Sequence, residues 1–192
     1  MQFVTKMLWF RSLGANRFIG MEIENTDIAD WIISNNLVKE FNGFLKENAK
    51  LNLNIGNLEL MGTKNTNILI EKHKNRPLAF NNVASSGTNS LLLYFYWYKH
   101  FKEVKFLFID EFDAFYHFEL SINIIKNLIE YENMQTVLTS HNTIIADNNL
   151  LRPDCYFVLK NGTLKSFSDS TERELREGHN LGKMLRQGEF NE

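Results

Sequence analysis

The sequence predicts an α/β fold in which a mostly parallel core sheet follows an antiparallel portion of strands and one helix. From Thr88 onward, short apolar strands alternate with helical patterns, which is typical of strand–helix–strand units with right-handed crossovers. Before Pro77, the strand patterns alternate apolar and polar residues. We therefore predict one domain, with a β/helix portion over 1–80, an α/β core over 81–168 and a charged helical tail over 169–192.

Composition indicates a cytoplasmic globular protein. The 192 residues suffice for one domain with its own core, and hydrophobic and charged residues make up 44% and 23% of them. The net charge of -2 gives no global attraction for nucleic acid, and Cys155, the one cysteine, cannot form an intrachain disulfide. The longest apolar run, over 91–98, is far short of the ~18 residues that span a bilayer.

The first portion contains strand patterns on both sides of one long helical pattern. Residues 18–24 alternate like a strand, and Asp27 is a candidate cap for a helix over 28–49 with apolar residues at helical spacing. Two further strands are predicted over 51–60 and 67–72, joined by a turn over 62–66. These elements predict an antiparallel sheet interrupted by a helix.

The second portion begins with a helix over 88–101, which Ser85 or Ser86 can cap. Its run LLLYFYWY is apolar on nearly every side, so we expect this helix to be buried on several sides. The elements that follow are a strand over 104–109, a helix over 119–132, a strand over 135–138, a helical turn over 142–150, a third strand over 154–159 and a strand over 163–167. The tail carries one or two short helices.

The stretch KFLFIDEFDAFYH runs a buried strand directly into three carboxylates, Asp110, Glu111 and Asp113. Like charges crowded at the end of an apolar strand repel one another and lose solvation. A metal ion is the simplest group that would relieve this repulsion. The stretch therefore predicts a cation site.

A second strand predicts further polar groups at the same edge. Ligands of open parallel sheets bind beyond the carboxyl ends of the strands, and Thr139, Ser140 and His141 follow the strand over 135–138. For nucleotide chemistry, Asp110 can hold Mg²⁺ and Glu111 can orient the water that attacks a γ-phosphate. His141 can hydrogen-bond the charge that develops on that phosphate.

The third candidate is the stretch from Ser85 to Thr88, at a predicted helix start. Unpaired backbone N–H groups and the helix dipole make such an end suitable for a phosphate. Gly87 permits close approach of the backbone, while Ser85, Ser86 and Thr88 supply hydroxyl donors. Alone, the same stretch is more typical of a capped helix after a loop.

In this order, the stretches NVASSGTNSLLLYFYW, KFLFIDEFDAFYH and TVLTSHNTIIADNNLLRPD resemble the C-terminal half of an ABC-type P-loop ATPase. They look most like the bacterial AAA-type, ABC-like ATPases with a Ser-Ser-Gly-Thr signature and an Asp-Glu-x-Asp-Ala-x-x-His Walker B motif. The ending HNLGKMLRQGEF is also similar to that group. The resemblance covers residues 80–192 well and the first 80 loosely. It permits a role in phage defence beside a nuclease partner.

The resemblance implies a role for each matched residue. Asp110 matches the aspartate that holds Mg²⁺, Glu111 the catalytic glutamate and His141 the switch histidine. The loop from Ser85 to Thr88 matches the signature that contacts the γ-phosphate of ATP bound to the other protomer. Asp113 begins the loop that crosses the dimer interface, although a turn residue that caps the next helix is an equal alternative.

No G-x-x-x-x-G-K-[ST] loop occurs in the 192 residues, so the main cradle of the β- and γ-phosphates is missing. We interpret the chain as a truncated or split ATPase whose phosphate loop, and with it a strand of the core sheet, comes from a missing segment or a partner subunit. An exposed sheet edge and weak ATP binding by the isolated chain are expected.

Three functions remain open at this point. The first is Mg²⁺-dependent ATP hydrolysis at a dimer interface, with a homodimer or a P-loop-bearing subunit as partner. The second is a catalytically inactive regulatory or interaction fragment of such an ATPase. The third is a metal-dependent nuclease that uses Asp110, Glu111 and Asp113, but this leaves His141 and the Ser85–Thr88 loop without a role.

Overall fold

The computed structural model describes residues 3–11, 18–20, 27–60, 66–72 and 76–190. Packing separates the chain into two units, Met1–Thr139 and Ser140–Glu192. In chain order, the first unit contains β1 (Met7–Arg11), β2 (Phe18–Gly20), α1 (Ile28–Ser34), α2 (Val38–Ala49), β3 (Ile55–Leu60), β4 (Thr66–Lys72), β5 (Pro77–Ala79), α3 (Phe80–Val83), α4 (Ser86–Tyr98), β6 (Phe106–Asp110), α5 (Phe118–Ile129) and β7 (Gln135–Leu138). The second unit contains β8 (Phe157–Lys160), β9 (Thr163–Ser166) and α6 (Leu181–Arg186).

The central sheet of the first unit has the order β2-β1-β6-β7. Strands β1, β6 and β7 are parallel, and β2 pairs with β1 in the antiparallel sense. The prediction of an α/β fold with a mostly parallel sheet is confirmed. The sequence pattern did not predict β1, a short strand that places Arg11 opposite Asp110 in the register.

The strand predicted over 154–159 does not join this sheet, and that part of the prediction is wrong. Pro153–Cys155 forms a 3₁₀ turn, and among the described residues β8 pairs only with β9, in a two-stranded antiparallel sheet. The connection accounts for the pairing of β8 with β9, since Asn161 and Gly162 have φ of 52° and 77°. Two successive positive φ angles are what a tight hairpin turn requires.

The two faces of the central sheet differ in burial. Alternate side chains of β1 and β6 form what we call the inner face of the sheet. They are at most 3% exposed, and they are Leu8, Phe10, Leu107 and Ile109. The other set forms what we call the outer face, where the side chains of the same strands are only half-buried: Met7, Trp9, Phe106 and Phe108. On β7, Val137 continues the outer face and is 37% exposed.

The helix predicted over 28–49 is two helices, α1 and α2. Asn36 has φ of 57°, a left-handed conformation that ends α1. Its N–H donates to the Ile33 carbonyl at 3.0 Å, and the Leu37 N–H donates to the Ile32 carbonyl at 2.9 Å. This pair of bonds is the Schellman arrangement, for which Asn is the usual substitute for Gly.

The remaining elements of the first unit follow the predictions in part. Helix α4 is buried on several sides, as its composition predicts: Leu91, Leu92, Leu93, Tyr94, Phe95, Tyr96 and Trp97 are buried. Strands β3 and β4 form the expected antiparallel pair, joined by β5, which was not predicted. The strand predicted over 18–24 was expected in the same sheet, and that is wrong, because β2 pairs with β1 in the central sheet. Residues 62–65 of the predicted turn and residues 21–24 of the first predicted strand lie outside the described residues.

The second unit has its own small core, formed by Ala146, Phe167, Leu181, Met184 and Phe190. The rings of Phe167 and Phe190 stack with centroids 4.1 Å apart. The tail therefore contributes core residues as well as the predicted short helix, α6. The assignment of the whole chain to a single ATPase domain stays a prediction. Within the described ranges, no helix combines the length and apolar character needed to cross a membrane.

Candidate functional site

The two adjacent acids lie at the carboxyl edge of the central sheet. Asp110 is the last residue of β6, and Glu111 begins the turn that follows. Because β1, β6 and β7 are parallel, their carboxyl ends meet at this edge. The Asp110 and Glu111 side chains are 29% and 20% exposed, so both carboxylates are partly removed from water.

Arg11, at the end of β1, contacts both acids. Its Nε lies 3.2 Å from Oδ2 of Asp110, and its Nη2 lies 3.2 Å from Oε1 of Glu111. The sequence interpretation assigned no role to Arg11. A basic residue directly after the apolar run MLWF was the available signal, but its partner depends on a register that no local pattern encodes.

Thr139 connects the two acids from the other side. Its hydroxyl donates to Oδ1 of Asp110 at 2.6 Å, and the same Oγ1 accepts the Glu111 N–H at 2.8 Å. Its carbonyl accepts the Phe112 N–H at 3.1 Å. The sequence predicted Thr139 near this edge without a function, and the contacts make it the residue that holds the Asp110 carboxylate and the Glu111 backbone.

Glu111 has φ of 49°, in the left-handed region that residues with a Cβ seldom occupy. Such a conformation costs about 1–2 kcal/mol. The hydrogen bonds of Glu111 and Phe112 to Thr139 hold the backbone in place. Strained backbone of this kind concentrates at functional sites, where it directs a side chain that a regular strand would send elsewhere.

The acid pair fits a divalent cation. Oδ2 of Asp110 and Oε1 of Glu111 face one guanidinium, so two carboxylate oxygens converge on a single positive group. Mg²⁺ is usually held by one or two carboxylates and keeps several waters. Across the described residues, no group of three or more His, Cys, Asp or Glu side chains is placed to hold a metal. Asp113 therefore does not complete a three-carboxylate site.

Asp113 lies in the turn after the acid pair and is half-buried. Its carbonyl accepts the Tyr116 N–H at 3.0 Å. The alternative that Asp113 caps the next helix is wrong, because Nδ1 of His117 accepts the Leu120 N–H at 3.1 Å and so caps α5. An interface role for Asp113 stays a prediction.

The Ser85–Thr88 loop starts α4 as predicted. Oγ of Ser85 accepts the Thr88 N–H at 3.1 Å and lies 2.9 Å from Oγ1 of Thr88. Thr88 is 6% exposed, whereas Ser86 is exposed at the first position of the helix. Two of the three hydroxyls thus serve the helix cap, and the Ser86 hydroxyl lies at the surface.

The start of α4 packs against the turn that follows the acids. A Cβ on Gly87 would lie 2.8 Å from the Phe115 carbonyl oxygen, so only glycine allows this approach. One turn further, Oγ of Ser90 lies 2.8 Å from the Tyr116 hydroxyl. Burial raises the pKa of Tyr116, an effect that the bond to Ser90 partly offsets. The loop and the acids therefore belong to one connected substructure.

His141 is an exposed residue at the beginning of the second unit. The hydroxyl of its neighbour Ser140 accepts the Asn142 N–H at 2.9 Å, and Asn142 starts a 3₁₀ turn over Thr143–Ile145. The predicted meeting of His141 with the acid pair stays a prediction.

Comparison with protein families places most of the chain in a known group. Residues 3–147 match the model of a family of AAA domains whose description links it to the AbiEii toxin of type IV toxin–antitoxin systems. No curated protein matches the chain.

Proposed function

Since the chain belongs to that AAA-domain family, a nucleotide-binding, ATPase-type group, we propose that it carries the hydrolytic edge of an ABC-like ATPase. In this proposal, ATP is hydrolysed in a Mg²⁺-dependent reaction at a dimer interface. The observation that carries the proposal is the convergence of Asp110 Oδ2 and Glu111 Oε1 on one positive group at the sheet edge.

The residues at the acid edge have different roles in the proposed hydrolysis. Asp110 would hold Mg²⁺, which supplies charge neutralisation for the phosphates. Glu111 orients and polarises the attacking water, and its backbone strain aims the carboxylate away from the strand direction. Thr139 holds the Asp110 carboxylate and the Glu111 backbone through its hydroxyl. His141 is proposed to hydrogen-bond the charge that develops on the γ-phosphate.

The phosphate loop has to come from outside these residues, because the sequence has no G-x-x-x-x-G-K-[ST]. Two features of the first unit support a strand–loop–helix element as its carrier. Strand β7 is the last strand of the central sheet as described, and the outer face is half-exposed. Parallel sheets are normally covered on both faces.

A strand–loop–helix element paired with β7 would bring its phosphate loop to the acid edge. The N–H groups of Gln135 and Thr139 donate to carbonyls next to and in β6. Because backbone groups alternate along a strand, the N–H groups of Thr136 and Leu138 point to the other edge of β7, away from β6. A parallel strand paired there would end at the acid edge. The helix after its loop would cover the outer face with its N-terminus, the phosphate-binding end, beside Asp110.

The proposed partners follow from the same division. A P-loop-bearing subunit would complete the acid edge, and the Ser85–Thr88 loop would reach a second nucleotide across a dimer, either a homodimer or that mixed pair. A nuclease partner and a role in phage defence are the proposed biological context. Their support is the resemblance of the motifs and the family's link to a toxin–antitoxin system.

Nucleotide affinity directly tests whether the phosphate loop comes from a partner subunit. The chain alone is expected to bind Mg·ATP weakly, and the chain co-expressed with the protein encoded beside it is expected to bind tightly. Calorimetry with Mg·ATP measures both. Micromolar affinity of the chain alone would contradict the need for an external loop.

A Glu111→Gln substitution separates the three functions. In the assembled ATPase it should trap ATP and stabilise the dimer, as seen by size-exclusion chromatography with labelled ATP. In an inactive regulatory fragment the substitution would be silent. A nuclease would instead lose metal-dependent cleavage of a labelled oligonucleotide without any dependence on ATP.

A further inference from the structure

We propose that Arg11 is the resident counter-ion of the acid pair and that it leaves Asp110 when a divalent cation binds. The inference deepens the proposed function, because it requires Asp110 and Glu111 to be the cation site. It assigns to Arg11 a regulatory role that neither the motifs nor the family match contains.

The contacts show why a cation and Arg11 compete. Oδ1 of Asp110 accepts the Thr139 hydroxyl, and Oδ2 faces Nε of Arg11. Each oxygen of the carboxylate already has one partner, and a cation that binds Oδ2 would lie directly beside the Arg11 guanidinium. Thr139 is fixed at the end of β7, where its N–H and carbonyl bind the backbone of Ile109 and Phe112.

Arg11 is the partner that can leave. Its side chain is 48% exposed, so the long stem can rotate into water while the strand stays paired. Its charge has the same sign as that of the cation, and two like charges a few ångströms apart repel strongly in a partly desolvated site. Thr139 is neutral and is compatible with a cation beside it.

Charge balance explains why the chain needs such a residue. Two adjacent carboxylates at 29% and 20% exposure repel each other when no cation is present. The guanidinium spans both of them, with one nitrogen 3.2 Å from each acid. Arg11 thus stabilises the acid pair when no cation is bound and lowers the affinity of the pair for a divalent cation.

Mn²⁺ titration of the 192-residue chain, followed by the electron paramagnetic resonance of free Mn²⁺, tests the competition. Arg11→Gln should bind Mn²⁺ tighter than the unsubstituted chain by on the order of fivefold to tenfold, the combined effect of two partly exposed ion pairs. Arg11→Lys, which keeps the charge, should stay near the unsubstituted value.

Lys99→Gln is the matched control. It removes one positive charge and an ion pair with Glu40, in which Nζ lies 2.8 Å from Oε1, and neither residue belongs to the acid edge. Its Mn²⁺ affinity should equal that of the unsubstituted chain. If Arg11→Gln binds Mn²⁺ no tighter than Lys99→Gln, Arg11 does not compete and the inference is overturned.

Thermal unfolding supplies a second readout that does not depend on activity. Arg11→Gln should melt below the unsubstituted chain without metal and gain more from added Mn²⁺. An equal gain in both chains would also overturn the inference. Adding Asp110→Asn to Arg11→Gln should abolish the tightened binding. If the double variant still binds Mn²⁺ tightly, the cation lies elsewhere, and both the proposed metal site and the inference fail. If Mn²⁺ binding depends on Asp110 but is unaffected by the Arg11 substitution, only the inference fails.

Discussion

The inner and outer faces of the central sheet come from the same strands but differ in what they contact. Leu107 on the inner face is fully buried, whereas Phe108, the next residue, is half-buried on the outer face. Alternation places Asp110 and Arg11 on the side of the outer face, at its carboxyl edge. The comparison indicates that the first unit has a closed core on one side of the sheet and a half-exposed face on the other.

The largest expected effect comes from the same truncation on the two faces. Phe10→Ala, on the inner face, should lower the free energy of unfolding by about 3–5 kcal/mol, because it leaves a cavity in a closed core. Phe108→Ala should lower it by roughly half as much, since its ring is half-buried. Urea denaturation measures both, and equal losses would remove the distinction between the faces.

A smaller effect is expected where α4 meets the turn after the acids. Gly87→Ala should destabilise the chain by about 1–3 kcal/mol, because the new Cβ would press on the Phe115 carbonyl. Gly43→Ala is the control, since a Cβ there meets no atom within 4 Å in the interior of α2. That change should stabilise by roughly 0.5–1 kcal/mol. Similar changes for both variants would contradict the close packing at Gly87.

Loss of the Thr139 hydroxyl should have a smaller effect on the free energy of unfolding than on Mn²⁺ binding at the acid pair. Thr139→Val should cost about 1–2 kcal/mol, because the Glu111 N–H loses its acceptor and Asp110 loses a donor. Thr139→Ser keeps the hydroxyl and should recover most of the loss. Urea denaturation and Mn²⁺ titration together check this, and a serine variant as impaired as valine would point to the methyl group instead.

The smallest change in stability is expected on the outer face at β7. Val137→Lys should alter the free energy of unfolding by about 0.5 kcal/mol or less, since the side chain is 37% exposed. It should nevertheless weaken assembly with a P-loop-bearing subunit, because a charge would enter the proposed interface. Analytical ultracentrifugation of the mixture provides the check. Undiminished assembly would move the interface away from β7.

The sequence predicted the elements whose signals are local. Strand β7 was predicted residue for residue, although it was expected to be buried and none of its residues is, and α4 was predicted from a serine cap and a continuous apolar run. The acids were predicted as a pair at a strand end. These features depend on neighbouring residues in the chain, which local propensity and patterning describe well.

The features that the sequence did not predict depend on contacts between distant residues. Arg11 reaches Asp110 only because β1 aligns with β6, and Thr139 reaches it only because β7 does. Gly87 was predicted to allow a phosphate to approach, but the structure gives it the Phe115 carbonyl as a neighbour. Pairing and packing of this kind are set by the tertiary fold and leave no local pattern.

Single-turnover hydrolysis of labelled ATP by the chain assembled with its P-loop-bearing partner tests the central claim most directly. The account predicts Mg²⁺-dependent hydrolysis by the unsubstituted complex, and ATP that stays bound and uncleaved in the Glu111→Gln complex. Hydrolysis at the same rate in both complexes would contradict the claim that this edge carries the chemistry.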